Sequence, residues 1–276
     1  SIGGFLAHHF TCAVSGRCRA AERELVRAYG SRDAALVREL APNLVYERGE
    51  RQLPVDWRAC RRAACASAPD DARLDAHHAD RGARATAFTR LIRLNGRAYV
   101  QYWLYYPDSN TVAGDSDQVW RRLFGDWLEY PGFHRDDWES VQFRVERDNR
   151  LSVRISSHGG YARCEPACPD GWRAPTGWVR VSRGSHAGHV PVRVESEQVG
   201  AGLVPRYVPP PGTRLLRTRR VPLVPGRNLD ERSTTGEGLR LVPLETHDRQ
   251  RYRPLDPSVL PPWLKDVYRD PESNES

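Results

Sequence analysis

Methionine is absent from the 276-residue chain, and Lys265 is its only lysine. Because no initiator methionine is present, we expect the chain to begin after processing or trimming, with any signal peptide or membrane anchor upstream of Ser1. No apolar stretch approaches the roughly 18–20 residues that span a bilayer. The arginines are interspersed with acidic residues, so the chain lacks the long basic runs of nucleic-acid tails. We therefore expect no nucleic-acid partner.

The remaining composition is that of a soluble globular protein, with 39% hydrophobic and 28% charged residues. Its formal net charge of +7 comes from 42 basic and 35 acidic side chains. An arginine bias of this kind arises from a GC-rich genome. It also suits an anionic partner such as a phosphate, an acidic glycan or an anionic lipid. Composition alone leaves both explanations open.

Six cysteines fall into three pairs that are close in sequence: Cys12 with Cys18, Cys60 with Cys65, and Cys164 with Cys168. An even number of closely paired cysteines is typical of disulfides formed in an oxidising compartment. No pair has the C-x-x-C spacing of a zinc knuckle. We therefore predict three local disulfides and a secreted or otherwise extracytoplasmic protein.

Helical spacing is confined to the beginning of the chain. Apolar residues recur at helical intervals over Ala20–Tyr29, and Gly30 ends that helix. A second short helix is predicted over Arg32–Leu40, with Pro42 just beyond its end.

Strand patterns follow, and the strongest surrounds Asn95-Gly96, the dipeptide that favours a type I′ hairpin turn. The turn joins Thr89–Leu94 to Ala98–Tyr106. Both faces of the Ala98–Tyr106 strand are largely apolar, so we expect it to be a central strand that is covered on both sides. Residues 107–133 are polar and predict a long connection. Further strands are predicted at Leu44–Tyr46, Trp138–Val145, Leu151–Ser156, Trp178–Ser182, Val190–Glu195 and Leu239–Val242.

Many short strands separated by turn residues predict a mainly β fold. We expect an antiparallel β-sandwich with a short N-terminal helical preface and a Pro-rich C-terminal tail that wraps the domain. The corresponding organisation is a preface over residues 1–41, a metal-binding sandwich over 42–203 and an extension packed on the sandwich over 204–276.

A candidate metal site lies at the start of the strand that contains Trp138. Asp137 and Glu139 are two residues apart and therefore point to the same side of that strand, whereas Trp138 points into the core. His134, in the turn before them, can fold back toward the same point. Two crowded carboxylates repel each other unless a cation lies between them. Oxygen and nitrogen ligands of this kind suit Mg²⁺ or Ca²⁺, with Mn²⁺ as an alternative.

Three more polar residues follow predicted strands. His158 and His186 both lie in glycine-flanked segments, where the backbone can approach a ligand closely. We expect both side chains to reach outward and to contribute little to the core. Asp108 follows the central strand. These positions predict that the side chains gather at one end of the sandwich, with Asp108 as a further metal ligand and the two histidines as candidate catalytic or ligand-contacting residues.

With these residues in view, the chain resembles the vacuolar protein sorting-associated protein sixty-two family and the related necrosis-inducing cytolysins. The cytolysins carry the heptapeptide G-H-R-H-D-W-E, which Phe133–Glu139 matches at His, Arg, Asp, Trp and Glu. Asp136 stands where the heptapeptide has its second His. The sorting-type family has a series of short sequence blocks in a fixed order. In this chain they correspond to Leu44–Trp57, Tyr102–Asn110, Asp136–Ser140, Ser156–Tyr161 and Arg183–His189. The resemblance covers roughly residues 41–190.

This resemblance implies a β-sandwich that holds a divalent cation through His134, Asp137 and Glu139, with Asp108 a weaker correspondence. Three functions stay open. The cation recognises an anionic glycan or lipid headgroup, with association at a membrane surface; it activates a water in a hydrolase, with His158 or His186 as acid or base; or it only pins loops together. The sequence has no G-x-S-x-G, H-E-x-x-H or phosphate-binding loop motif that would indicate another chemistry.

Overall fold

The computed structural model describes residues 16–46, 52–58, 85–110, 133–157, 160–164, 178–181, 184–189, 194–199, 202–207, 214–216, 239–246, 249 and 252–274. In chain order the elements are α1 (Gly16–Glu39), β1 (Asn43–Tyr46), β2 (Thr86–Leu94), β3 (Arg97–Asn110), β4 (Phe133–Val145), β5 (Leu151–Ser157), β6 (Gly160–Cys164), β7 (Trp178–Val181), β8 (Gly188–His189), β9 (Val194–Val199), β10 (Gly202–Tyr207), β11 (Arg214–Leu216), β12 (Arg240–Pro243) and α2 (Asp266–Arg269). Single 3₁₀ turns cover Leu244–Thr246 and Pro262–Leu264.

The N-terminal helical region is broken where the sequence predicts. Gly30, with φ of 76° and ψ of 165°, interrupts the helical conformation inside α1, so two helical segments meet at a kink. A left-handed φ costs glycine little because it has no Cβ. The helix buries Leu25, Ala34 and Val37 against the strands. The predicted helical preface is therefore confirmed as part of the fold.

The larger sheet has six strands in the order β12-β2-β3-β4-β5-β6. The turn at Asn95 (φ 51°) and Gly96 (φ 74°) joins β2 to β3, as the type I′ prediction requires. Strand β3 lies between β2 and β4 and pairs antiparallel with both. The expectation of a central, doubly covered strand is confirmed.

A second sheet, in the order β11-β1-β7-β8, packs over one face of the first. Leu44 of β1 and Val179 and Val181 of β7 belong to the same buried core as Tyr102 and Phe143 of the large sheet. The fold is thus the expected β-sandwich. Two pairings are parallel, β1 with β7 and β12 with β2, so the sheets are mixed rather than wholly antiparallel. The remaining described strands, β9 and β10, form an antiparallel pair.

The outer face of the six-stranded sheet is covered by the C-terminal segment. Trp103, Tyr105 and Trp138 point to this face and form a second core with Tyr252 and Tyr268 of the segment. The indole Nε1 of Trp138 donates a hydrogen bond to the Tyr252 hydroxyl at 3.0 Å. These contacts confirm a wrapping C-terminal tail. The extension over 204–276 also contributes β11 and β12, one strand to each sheet of the sandwich.

Several boundaries differ from those predicted. Residues 107–110 continue β3, and β4 already begins at Phe133, so the connection predicted over 107–133 is wrong at both ends. Proline normally disfavours a central strand, but here Pro107 falls between two paired positions, Tyr106 with Asp137 and Asp108 with Arg135. Strands β6, β8, β10 and β11 are not among those predicted from the sequence. The strand predicted at Val190–Glu195 overlaps β9 only at its end, because residues 190–193 lie outside the described residues.

Each predicted disulfide includes at least one cysteine outside the described residues, so the three pairings stay predictions. Within the described ranges, no helix has the length and apolar character needed to cross a bilayer.

Close approach of the two sheets depends on Gly188. A Cβ placed on Gly188 of β8 would lie 2.1 Å from Cγ2 of the buried Ile155 in β5. We expect Gly188→Ala to lower the free energy of unfolding by about 1–3 kcal/mol, the usual cost of overpacking, as measured by urea denaturation. In an Ile155→Ala background the same substitution should cost less, since the two closest atoms, Cγ2 and Cδ1 of Ile155, are removed. An equal cost in both backgrounds would contradict the steric explanation.

Candidate functional site

The site forms at the beginning of β4, where the pairing with β3 is locally interrupted. Asp137 is paired with Tyr106 and Arg135 with Asp108, which leaves Asp136 opposite Pro107. Proline has no N–H to donate to the ladder. Asp136 adopts φ of 54°, a left-handed conformation in which Asp is enriched. The register is the same on both sides of this position, so Asp137 and Glu139 keep the side of the sheet that strand alternation gives them.

Asp136 is fully buried and holds the C-terminal segment. Its Oδ1 accepts a hydrogen bond from the Tyr105 hydroxyl at 2.6 Å. Its Oδ2 accepts from the backbone N–H groups of Leu255 and of Asp256, the latter at 3.2 Å. Three donors compensate the burial of these polar oxygens. The residue that departs from the heptapeptide pattern is therefore an anchor for the tail.

Asp137 pairs with His186, although the two residues are far apart in sequence. His186 Nδ1 lies 2.8 Å from Asp137 Oδ2, and the two residues are only 2% and 6% exposed. The imidazole stacks on the ring of Tyr106, with centroids 3.8 Å apart and planes 5° apart. A carboxylate can only accept, so Nδ1 carries the proton in this contact. The carboxylate thereby fixes both the tautomer and the orientation of the ring.

Glu139 follows Asp137 on the same side of β4. Glu139 is paired with Leu104 of β3, and Asp137 is paired with Tyr106. Leu104 and Tyr106 both belong to the buried core between the two sheets. Ser156 donates a hydrogen bond to Glu139 Oε2, and the Ser156 hydroxyl itself accepts from the Ser140 N–H at 2.6 Å. Asp137 and Glu139 are thus each held through one carboxylate oxygen.

The pKa of Glu139 reflects its desolvation and the charges around it. Desolvation raises the pKa of Glu139 well above its ordinary value, and the negative charge of Asp137 raises it further. The Ser156 hydrogen bond and the positive charges of Lys265 and His186 act in the opposite direction. Burial and like-charge repulsion therefore favour the protonated form of this carboxyl group.

The other predicted ligands lie in different surroundings. His134 Nδ1 is 3.0 Å from the carbonyl oxygen of Asp136 and 3.3 Å from that of Arg135, so its ring is turned onto its own strand. Asp108 is buried, and its Oδ1 accepts a hydrogen bond from Gln52 Nε2. His158 lies outside the described residues.

The structure therefore brings Asp137, Glu139 and His186 together. Within the part of the chain that the structure describes, no three or more His, Cys, Asp or Glu side chains are grouped so that they could hold a metal ion. The cation and its ligand set stay predictions. His186 was also expected to reach outward and to contribute little to the core; this is wrong, because its ring is buried between Tyr106 and Asp137.

Two residues of the site were not predicted. In the sequence, Ser156 is only the first residue of a histidine-containing segment, and Tyr106 is only one member of an aromatic strand. The available signal was the two-residue alternation of β3, which puts Tyr106 on the same face as the residue paired with it, Asp137. The contact with His186 joins distant segments and leaves no local pattern.

Comparisons with known proteins give the following result. No protein-family model matches the chain, and no curated protein matches it. The similar solved structures include a toxin-fold protein of microbial attack and plant defence, with 18% identity and a TM-score of 0.38 over 56% of this chain and 64% of that one. The complex of NLPPya with mannosamine has 16% identity and a TM-score of 0.42 over 79% and 76% of the two chains. The non-toxic HaNLP3 protein has 13% identity and a TM-score of 0.40 over 78% and 76%.

These neighbours are necrosis-inducing-type proteins, and the chain spans just under two thirds of the first of them. The comparisons give no support to the vacuolar sorting part of the resemblance.

The raised pKa of Glu139 predicts a pH dependence of stability. The folded protein holds this proton more tightly than the unfolded chain, so in cation-free buffer the free energy of unfolding should fall as pH rises from 4.5, the ordinary value, through the raised pKa. Glu139→Gln removes this dependence. Urea denaturation of both proteins across pH measures the difference, and parallel profiles would refute the assignment.

The Asp136 anchor predicts a large loss of stability on truncation. Asp136→Ala removes a buried acceptor from three donors, and each buried donor left without a partner costs about 1–3 kcal/mol. We expect a loss of at least about 3 kcal/mol by urea denaturation. Tyr105→Phe, which removes one of the three donors, should cost about 1–3 kcal/mol. A loss below 1 kcal/mol for Asp136→Ala would show that the tail does not depend on this carboxylate.

Proposed function

We propose that the chain is an extracytoplasmic protein that binds a divalent cation through Asp137 and Glu139 and uses it to recognise an anionic glycan or lipid headgroup. The observation that supports the proposal most directly is the pair of crowded carboxylates on one side of β4, at the end of its long pairing with β3. Alternate residues of a strand are about 7 Å apart along the chain. Two carboxylates at that spacing can converge on one ion.

The donor set fits a hard cation. Asp137 engages His186 through Oδ2, and Glu139 engages Ser156 through Oε2, so these contacts leave Asp137 Oδ1 and Glu139 Oε1 as oxygen donors. Carboxylate oxygens are the ligands that Mg²⁺, Ca²⁺ and Mn²⁺ prefer. The cation would supply positive charge both to the carboxylates and to an anionic ligand.

The surrounding residues have supporting roles in this proposal. His186, stacked on Tyr106, fixes the Asp137 carboxylate, and Ser156 fixes that of Glu139. Outer contacts of this kind orient metal ligands and affect metal affinity about 10–100-fold. His134 is the proposed third ligand. Its Nδ1 faces carbonyl oxygens, which only accept, so a neutral ring would carry its lone pair on Nε2.

Isothermal titration calorimetry on chelator-treated protein tests the cation. We expect one site for Ca²⁺, Mg²⁺ or Mn²⁺, with Asp137→Asn and Glu139→Gln weakening binding at least about tenfold. Asp148→Asn, a matched substitution in the exposed turn after β4, should bind as the parent does. Circular dichroism shows whether each variant is folded. Unchanged affinity in both site variants would contradict the proposal.

Ligand recognition is tested separately with anionic glycans and with vesicles that contain anionic or only zwitterionic lipids. Binding should require the cation, disappear with chelator and return when Ca²⁺ or Mg²⁺ is restored. Binding that resists chelation would overturn cation-mediated recognition. A bound cation without any glycan or vesicle binding would likewise overturn it and leave the ion a structural role.

A metal-dependent hydrolase is the second candidate, and the Asp137–His186 pair favours it. A carboxylate at 2.8 Å from Nδ1 is the arrangement that holds an imidazole ready to act as a general base. Hydrolysis of ester or phosphodiester substrates that depends on the cation and is lost in His186→Gln would favour this candidate. Binding without turnover favours recognition.

A further inference from the structure

A cavity of about 230 Å³ lies on the outer face of the six-stranded sheet and is separate from the site at Asp137. Its walls include Tyr99 of β3, Arg144 of β4, Arg154 of β5, Arg163 of β6 and Glu272 of the C-terminal segment. Four neighbouring strands and the tail thus contribute to a single depression. The lining residue Arg144 lies near the end of β4 that leads into the turn at 146–150, whereas the site at Asp137 is toward the other end of β4.

The lining carries an excess of positive charge. Three arginines and one glutamate give it a formal charge of +2. Glu272 accepts hydrogen bonds from Tyr99 and, at 2.9 Å, from Arg97, and Arg144 pairs with Glu146 at 2.6 Å. Arg97 and Glu146 are neighbours of the lining and carry opposite charges, so including them leaves the formal charge at +2.

Arg154 gives the cavity a rigid base. It is only 5% exposed, its Nη1 donates to the carbonyl oxygen of Ser273 at 2.7 Å, and its Nη2 donates to that of Pro271. Its guanidinium also lies 4.4 Å from the centre of the Tyr161 ring. Carbonyl and ring contacts orient the group without cancelling its charge. Arg163, which reaches Asn274, adds a second guanidinium from the adjacent strand.

The size of the cavity limits the ligand. Sites for drug-sized molecules occupy about 300–1,000 Å³, and a water takes about 30 Å³ of liquid volume. The cavity is therefore suited to a small group with several acceptor oxygens. Planar guanidinium groups match the oxygens of phosphate through paired hydrogen bonds.

From this combination we propose a second binding site, between Arg144, Arg154 and Arg163, for a tetrahedral dianion such as the phosphate of a monoester or inorganic phosphate. Because Pro271 and Glu272 form one wall, the site exists only when the C-terminal segment is docked. Occupancy therefore stabilises the docked tail by mass action. The tail is the same segment that covers Trp103 and Trp138, so the anion strengthens the cover of the outer core.

Isothermal titration calorimetry of the full chain at low ionic strength tests the site with inorganic phosphate and, separately, with glycerol phosphate. A titration with chloride at matched ionic strength is the control. We expect saturable one-site binding that chelator does not affect. Arg163→Gln and Arg144→Gln should each weaken it about tenfold or more, because each removes a charge-assisted hydrogen bond. Arg150→Gln, which removes the same charge from the exposed turn after β4, should change the affinity less than about twofold.

A second readout is independent of affinity. Hydrogen exchange of the backbone amides in residues 266–274 should slow when phosphate is added to the parent protein and should not change in Arg163→Gln. Tighter binding of glycerol phosphate than of inorganic phosphate would identify an esterified phosphate as the natural ligand. Equal affinity for the two would identify the free ion.

Non-saturable binding, or an equal loss in Arg150→Gln and Arg163→Gln, would show general charge screening and overturn the site. Absence of binding at millimolar phosphate would do the same. Failure of this site leaves the cation proposal untouched, because the two use different residues and only the cation responds to chelator.

Discussion

The pairing of β3 with β4 is the constraint on which the rest of the structure depends. It runs from Ala98 with Val145 to Asn110 with Phe133, and both of its faces are buried. One face meets the second sheet and α1, and the other meets the C-terminal segment. An error of one residue in this register would move every side chain of β4 to the opposite face of the sheet and so disrupt both cores. The site is placed by the same register, because Asp137 and Glu139 are fixed opposite Tyr106 and Leu104.

Three acidic residues follow one another closely at the beginning of β4, and the fold treats each of them differently. Asp136 accepts hydrogen bonds from a hydroxyl and from two backbone N–H groups. Asp137 is stabilised by the histidine stacked on Tyr106. Glu139 has a serine donor but is desolvated beside the charge of Asp137, so its pKa rises. One of the three anchors the tail, and the other two form a pair that a cation would relieve.

Local chemistry explains how much of the fold can be predicted from the sequence. The hairpin at Asn95-Gly96 and the kink at Gly30 depend on residues that tolerate positive φ, and both are confirmed. The burial of β3 on both faces follows from its two apolar sets of alternate residues. The extension of β3 through Pro107 was missed, because it depends on the partner strand, where Asp136 adopts a left-handed conformation opposite the proline. The parallel pairing of β12 with β2 joins distant segments, for which no sequence pattern exists.

Some features of the candidate site could likewise be predicted from the sequence, and others could not. The common side of Asp137 and Glu139 follows from strand alternation and is found as predicted from the register. The burial of His186 could not be predicted, because a glycine-flanked histidine after a strand usually faces solvent. Here His186 adopts a positive φ of 54°, and its ring stacks on Tyr106. The anchoring role of Asp136 was likewise hidden, since its partners at 255 and 256 are far along the chain.

Anomalous diffraction from crystals soaked in Mn²⁺ tests the central claim most directly, because it locates the ion without reference to activity. The account predicts a peak between the carboxylates of Asp137 and Glu139, within about 2–2.6 Å of an oxygen from each. It also predicts that His186 and Ser156 keep their contacts with the opposite oxygens. Diffraction of good quality with no peak there, and both carboxylates unchanged, would contradict the claim.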